Sequence, residues 1–475
     1  MDVHSRVERV RAALRDGDML GAIRRLEEAR EHAAGEAERL VVEVHTAAFR
    51  LAATHETFGR VPTAQAWAAL EGTAGAALPP ALRRRLELEL RISDGIGAYD
   101  VALLDEAVRG ALELARDDPG SLPTAERAVN NRLAVRIAVL ERVGIAPGEP
   151  GHADALLAIG EALTLADALG ARGTIDRRAV TAAVTMGDWP RAWEWAQRAL
   201  ESDALVPRER VGIATEAALL ALERGMRAEA RELGALARAA GAGRSAAWAR
   251  LWAGTGAVVH AAAGGASMHS ALGVLERAVE REQHRKLPHF ALRAALIALE
   301  AGLPGDRVFA FVEQCLGVRE GWPQPWRAVL EATAGRLEPE RVSELDAWAD
   351  GPAGAWQRAT ALRLRARLRL RAGSATAASA DVVRGLRVLA MWEGARREAL
   401  ERLRARMLPQ RAITPAQAAV LRLLVLGRTD REIAAELGRS PRTVETHVRA
   451  LLREYGAANR VALAVAASRE PFLES

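Results

Sequence analysis

Glycine turn markers divide the second half of the chain at Gly187, Gly225, Gly265, Gly302, Gly335 and Gly373, with gaps of 38, 40, 37, 33 and 38 residues. This near-constant period constrains the fold more than any other feature, because it is the period of stacked helix–turn–helix pairs. Between the markers apolar residues recur at helical spacing, and no stretch reads as a credible strand. Further turn signals stand at Asp16-Gly17, Gly187-Asp188, Gly264-Gly265 and Pro304-Gly305. The segments Gly17–Ile23 and Gly187–Trp193 resemble each other, each following one helical stretch and opening the next. Half of the residues are apolar but only 4% are aromatic. Ala and Leu carry that apolar share, and both cost little side-chain entropy in a helix. The fold class expected is all-α.

The period, with small residues where helices cross, resembles degenerate tetratricopeptide-like repeats, although the fuller consensus of that family is absent. The resemblance implies a helical-repeat superhelix over residues 1–400, with less regular turns in the first 150. The run Leu362–Arg371 alternates Leu or Ala with Arg, a strand-like period of two. On a helical wheel, however, Leu362, Ala366 and Leu370 form one stripe and Leu364 and Leu368 another, as a helix between two repeat neighbours requires. Its arginines read as a solvated face balanced by acids elsewhere, not as a second DNA site. All eleven Trp residues fall before residue 400. Most are expected as knobs between stacked helices; Trp189, Trp193, Trp248 and Trp252 are the candidates for a ligand groove.

Catalytic and cofactor signals are weak. The single Lys, Lys286, has no glycine loop before it, which excludes a P-loop. Gly254-Thr255-Gly256 lies inside a helical pattern and not after a strand, which argues against a dinucleotide site. His284 and His289 have no third ligand, and Cys315, the only Cys, reads as a small core residue. The chain is read as a non-enzyme with no cofactor and no metal. No apolar run is long enough for a membrane span and no secretory signal opens the chain, so a soluble cytoplasmic protein is expected.

Formal charge is +5. Residues 401–475 hold 13 Arg against 8 acids, whereas the first 400 residues balance 53 basic against 53 acidic groups. All of the excess positive charge therefore lies in the last 75 residues. There Thr414-Pro415 can open a helix that stops at Gly427. Thr429 can cap a second helix, Asp430 to Leu437, and Gly438-Arg439 turns the chain. Ser440-Pro441 can cap a third, which Gly456 ends, and a fourth follows Asn459-Arg460. Two helices joined by a tight glycine turn, the second capped and basic, make a DNA-binding helix-turn-helix.

Ile413-Thr414-Pro415, Val420–Leu424, Gly427, Glu432-Ile433-Ala434, Leu437-Gly438, Ser440–Val448 and Asn459-Arg460 closely resemble the LuxR/FixJ-type helix-turn-helix, in one register over about 408–470. The resemblance implies four helices, the third in the major groove and the fourth forming a dimer contact through Val461, Leu463, Ala464 and Ala467. Departures are Gln417 and Ala419 in place of acids, Glu445 in place of Lys, and Glu454-Tyr455 in place of Lys-Leu. By helical spacing Glu445, Thr446 and Arg449 share an outward face and are the candidate base readers. Arg428, Thr429, Arg431, Ser440, Arg442, Thr443 and Arg460 are the candidate phosphate contacts. His447 is expected inside, beside Val444 and Leu451.

The organisation expected is thus a repeat region over 1–400 for sensing or docking, a linker over 401–411 and a LuxR-type domain over 412–470. It is similar to the C-terminal half of MalT-like regulators without their ATPase domain. The expected protein is a bacterial, sequence-specific transcription regulator that binds double-stranded DNA as a homodimer. A protein, peptide or small-molecule effector acts at the repeats, and RNA polymerase is a candidate partner. A competing reading is a helical-repeat scaffold whose terminal helix-turn-helix mediates protein contacts.

Overall fold

The computed structural model describes residues 3–16, 18–53, 63–143, 151–169, 172–203, 205–243, 247–280, 288–316, 325–407 and 413–467. Among them regular structure is helical throughout, with no strand. The chain divides into two compact units, residues 1–400 and 401–475. The helix Ala395–Met407 occupies residues 401–407, the first part of the expected linker; residues 408–411 lie outside the described ones.

Unit 1 is built from helical hairpins, and the turn that makes each hairpin is the same. Gly187, Gly225, Gly264, Gly302, Gly335 and Gly373 all have φ between +75° and +90°, open to glycine at no steric cost. Each donates its N–H three residues back, and the following residue donates five back, as in Gly187 N to Val184 O at 3.1 Å and Asp188 N to Ala183 O at 2.9 Å. These paired bonds satisfy the carbonyls that a helix end orphans. The left-handed residue is Gly264, one position before the expected Gly265. Asp188 then caps the next helix from the Arg191 amide, and Asp18 caps Met19–Glu31 from the Gly21 amide, so the two similar segments do the same local work. Gly17 lies outside the described residues.

The earlier hairpins looked irregular in sequence for one visible reason. Between Pro80–Ala98 and Val101–Asp117 the left-handed position is held by Tyr99, at φ +55°. Tyr99 N bonds Ile96 O and Asp100 N bonds Gly95 O, the same pattern with no glycine to mark it.

Ionic groups are buried inside unit 1 in matched sets. Glu89, fully buried, receives Arg11 at 3.1 Å, Thr124 Oγ1 at 2.7 Å, and Arg127. Burial alone would raise its carboxyl, but Arg127 and Arg11 outweigh that and hold it below the usual range. The Leu362–Arg371 run is helical, within Ala355–Arg371. Its arginines are only partly a solvated face: Arg367 and Arg371 are exposed, but Arg365 is 2% exposed and bonded to Asp381 (2.6 and 3.0 Å), Asp346 (2.7 Å) and Asp350. The two apolar stripes leave only narrow gaps, so Arg365 points between neighbouring elements where aspartates meet it. Arg363 pairs with Glu300 at 2.8 Å and Arg369 with Asp381 at 2.7 Å. Cys315 is half-buried rather than in the core.

Contacts in unit 1 also skip along the sequence. The helix Arg172–Met186 packs on Ala355–Arg371, and Arg396 grips Glu223 through two nitrogens. Gly394 lies so close that a Cβ there would meet the Glu223 carbonyl at 2.1 Å. An open repeat stack has contacts between neighbours only; unit 1 also closes across about 170 residues of chain.

Candidate nucleic-acid interface

Unit 2 contains four short helices after the boundary: Pro415–Val425, Asp430–Glu436, Pro441–Tyr455 and Arg460–Ala467. Every start is capped by a side chain. Thr414 and Gln417 form a reciprocal capping box, Gln417 Oε1 accepting from Thr414 N at 2.7 Å. Thr429 and Glu432 form another, at 2.7 Å. The Thr429 amide and hydroxyl together hold the Glu432 carboxyl below the usual carboxylate range. Ser440 Oγ accepts from Thr443 N at 3.1 Å, and Asn459 Oδ1 from Ala462 N at 2.9 Å. Gly427, Gly438 and Gly456 supply the left-handed stops. Gln417, where an acid was expected, retains the box because its amide oxygen accepts as a carboxylate would.

The core fixes how the third helix is presented. Val444, Val448, Leu451 and Tyr455 are buried along one side and pack with Val420, Leu421, Leu424, Ile433, Ala434 and Leu463. The opposite side carries Glu445, Thr446 and Arg449, all exposed. Arg449 Nη2 meets Glu445 Oε1 at 2.6 Å, and Thr446 Oγ1 donates to the Arg442 carbonyl at 2.9 Å. His447 is half-buried rather than internal, because Val448 takes the inward position.

The candidate phosphate contacts divide into free and engaged groups. Arg428, Arg431 and Arg442 are exposed and make no ion pair among the described residues; Arg439 and Arg453, which the sequence reading omitted, share both properties. Arg460 is engaged: it pairs with Asp430 and donates to the Arg428 carbonyl, tying the start of the fourth helix to the turn before the second. Thr429, Ser440 and Thr443 serve as helix-end groups, Thr443 Oγ1 lying 2.8 Å from Ser440 Oγ. Of the candidate dimer residues, Leu463 and Ala467 are fully buried in the domain's own core, Ala464 is partly buried, and Val461 is 72% exposed. Val465, one turn on, is 54% exposed. Periodicity alone could have singled it out.

Residues 411–467 match the family model described as bacterial regulatory proteins, luxR family (GerE). They form a LuxR-family helix-turn-helix domain. The match covers the four capped helices, their glycine stops and the exposed face of the third helix. No curated protein matches the chain. Residues 1–400 lie outside that match, and the regular structure of those described is all helical. Among the described residues no helix is long and apolar enough to cross a membrane, and no His/Cys/Asp/Glu group could hold a metal ion.

Of the tryptophans proposed for a groove, Trp189 and Trp252 each pack on a ring outside that set. Trp189 is buried against Trp392, ring centroids 4.3 Å apart, and Trp252 meets Phe290 edge-on at 5.1 Å. Trp193 is half-buried, and the Trp248 side chain lies outside the described ones. Trp326, Trp348 and Trp356 form a separate cluster with centroids 4.7 to 6.1 Å apart.

Proposed function

We propose that the protein is a sequence-specific, DNA-binding transcription regulator, with the LuxR-family domain as its DNA reader and residues 1–400 as a tetratricopeptide-like regulatory array. The observation that carries this reading is the exposed Glu445–Thr446–Arg449 face, set on a capped helix between unpaired arginines. Arg449 suits the O6 and N7 of guanine, Thr446 a thymine methyl and Glu445 a cytosine amino group. Arg442, with Arg428, Arg431, Arg439 and Arg453, supplies phosphate contacts that fix register without reading sequence. Arg460 acts as a positioning residue for the Arg428 turn. A homodimer on DNA uses the outward side of the fourth helix, Val461 and Val465, and reads a two-fold related site.

Selection from a random duplex library with the full-length protein tests the reading. An enriched motif is expected, with affinity falling steeply as salt rises, because each neutralised phosphate releases counterion. Salt-insensitive binding with no enriched motif overturns it and favours a protein-contact role for the domain.

A further inference from the structure

A groove of about 280 Å³ opens in unit 1 where three consecutive helices meet, at the ends of Arg227–Gly241 and Met268–Glu280 and the start of Ala247–Ala262. Each helix sends one arginine to it: Arg238, Arg277 and Arg250. The rest of the wall is apolar and small, Gly241 and Ala253 included. A Cβ on Gly241 would meet the Ala253 Cβ at 2.4 Å, so two of the helices cross too closely for larger residues. No side chain on that floor is long enough to fill the space above it. The space exceeds the roughly 150 Å³ that admits a benzene molecule.

The charge around the groove is of one sign. Three arginines line it and, among the described residues, no acid does. Glu276 is two residues from both Val274 and Ala278, which line the groove, so helical spacing turns it about 200° from each, to the far side of its helix. Arg238 and Arg277 are exposed and make no hydrogen bond or ion pair among the described residues. Both stand in the last turn of a helix, where the carbonyl end favours a cation. That accounts for each one singly, but not for two beside one apolar floor with Arg250 as a third. Like charges around one groove repel, and an anion bound among them relieves that repulsion.

We propose that this groove binds a phosphate monoester of a small organic molecule. The phosphoryl group carries about two negative charges and three terminal oxygens, which suits three guanidinium groups that each pair with phosphate through two N–H donors. A single carboxylate offers one charge and two oxygens. The ester body lies on the apolar floor. Arg238 and Arg277 have no internal bond to break, so their guanidinium groups can turn over the groove to meet the phosphoryl oxygens. The site stands on the groove alone; its use as an effector site of the regulator rests on the DNA-binding reading.

Calorimetric titration of the full chain without DNA tests this, at low ionic strength because salt screens exposed charges. Phenyl phosphate is the probe, taken to about 10 mM, with inorganic phosphate, benzoate and succinate in parallel. Phenyl phosphate is expected to saturate, inorganic phosphate to bind more weakly for want of a body, and neither carboxylate to match the ester. Arg238→Gln and Arg277→Gln should each weaken the ester about fivefold, the upper end for an exposed ion pair. Arg387→Gln removes the same charge from an exposed position on the helix Ala375–Val388 and should leave the affinity unchanged. The proposal is overturned if phenyl phosphate does not saturate, if a carboxylate binds as tightly, or if either groove variant keeps wild-type affinity. Equal weakening by Arg387→Gln overturns it in favour of diffuse charge, and equal affinity for inorganic phosphate in favour of a free-phosphate site. Failure of the DNA reading would appear instead in the library selection.

Discussion

Glu445 and Arg449 hold one another across one turn of the third helix, and the strength of that pair sets what DNA must displace. Exposed pairs at this spacing contribute about 0.3–0.5 kcal/mol, whereas a bidentate contact to guanine discriminates by about 1–3 kcal/mol. On the proposed reading DNA wins that competition, and releasing Arg449 would free Glu445 to accept from a cytosine. Arg449→Ala should therefore relax the selected motif at one or two positions. Arg442→Ala should weaken binding to all sequences and leave the motif intact. An unchanged motif in Arg449→Ala would show that another face reads the bases. A second residue-scale consequence concerns acid stability. His45 is buried beside Arg11, Glu89, Arg85 and Arg127; burial, reinforced by Arg11, pushes its imidazole down to about 3. The unfolded chain titrates near 6.5, so between about pH 6.5 and 3 it takes up a proton that the native state refuses. Stability falls as pH falls across that window, by about 2 kcal/mol between pH 7 and 5 from this group alone. Urea unfolding at several pH values should show that dependence shrink in His45→Gln; equal slopes would assign it to other groups.

Helix ends were legible in sequence because their chemistry is local. A Thr or Ser oxygen meets an amide three residues on, and a glycine takes the left-handed stop, so Thr414, Thr429, Ser440, Gly427 and Gly456 could be placed by reading alone. The same reasoning stalled at Tyr99, where a residue other than glycine adopts φ +55° and only the backbone bonds disclose the turn. Burial of polar side chains was illegible for a different reason. The alternation around Arg365 looks like a solvated face until Asp346, Asp350 and Asp381 are brought from separate elements. Arg460 likewise reads as a free cation until Asp430 is seen beside it. The two uses of glycine give a paired test. Gly225 has φ +75° with open space around its Cα, and Gly160 lies inside the helix His152–Ala168, also with open space. Gly225→Ala should destabilise unit 1 by about 1 kcal/mol, because the left-handed conformation is strained for alanine. Gly160→Ala should stabilise it by about 0.5–1 kcal/mol. Thermal unfolding midpoints of the two variants moving in the same direction would contradict this account.

At the scale of the molecule, the neutral charge of the first 400 residues has a structural meaning, since many of its arginines are matched inside the fold by acids distant in sequence. Arg396 is the clearest case. Burial opposes its charge, but Glu223 and Glu300 outweigh that, and the guanidinium holds its proton above its usual range. Glu223 lies 173 positions away and Glu300 96, so no periodicity could have paired them. A buried ion pair adds little over a well-packed apolar pair, but removing one partner strands the other. Arg396→Met should accordingly lower the unfolding midpoint of unit 1. The loss is about 3 kcal/mol, the lower end for a stranded buried charge, because Glu223 retains some solvent and Glu300 keeps Arg363. Arg396→Met with Glu223→Leu should recover most of that loss, since no carboxylate is then left without a cation at the closure. If the double variant is no more stable than Arg396→Met, the guanidinium supports the closure by packing on Trp356, 5.8 Å away, and not by its charge.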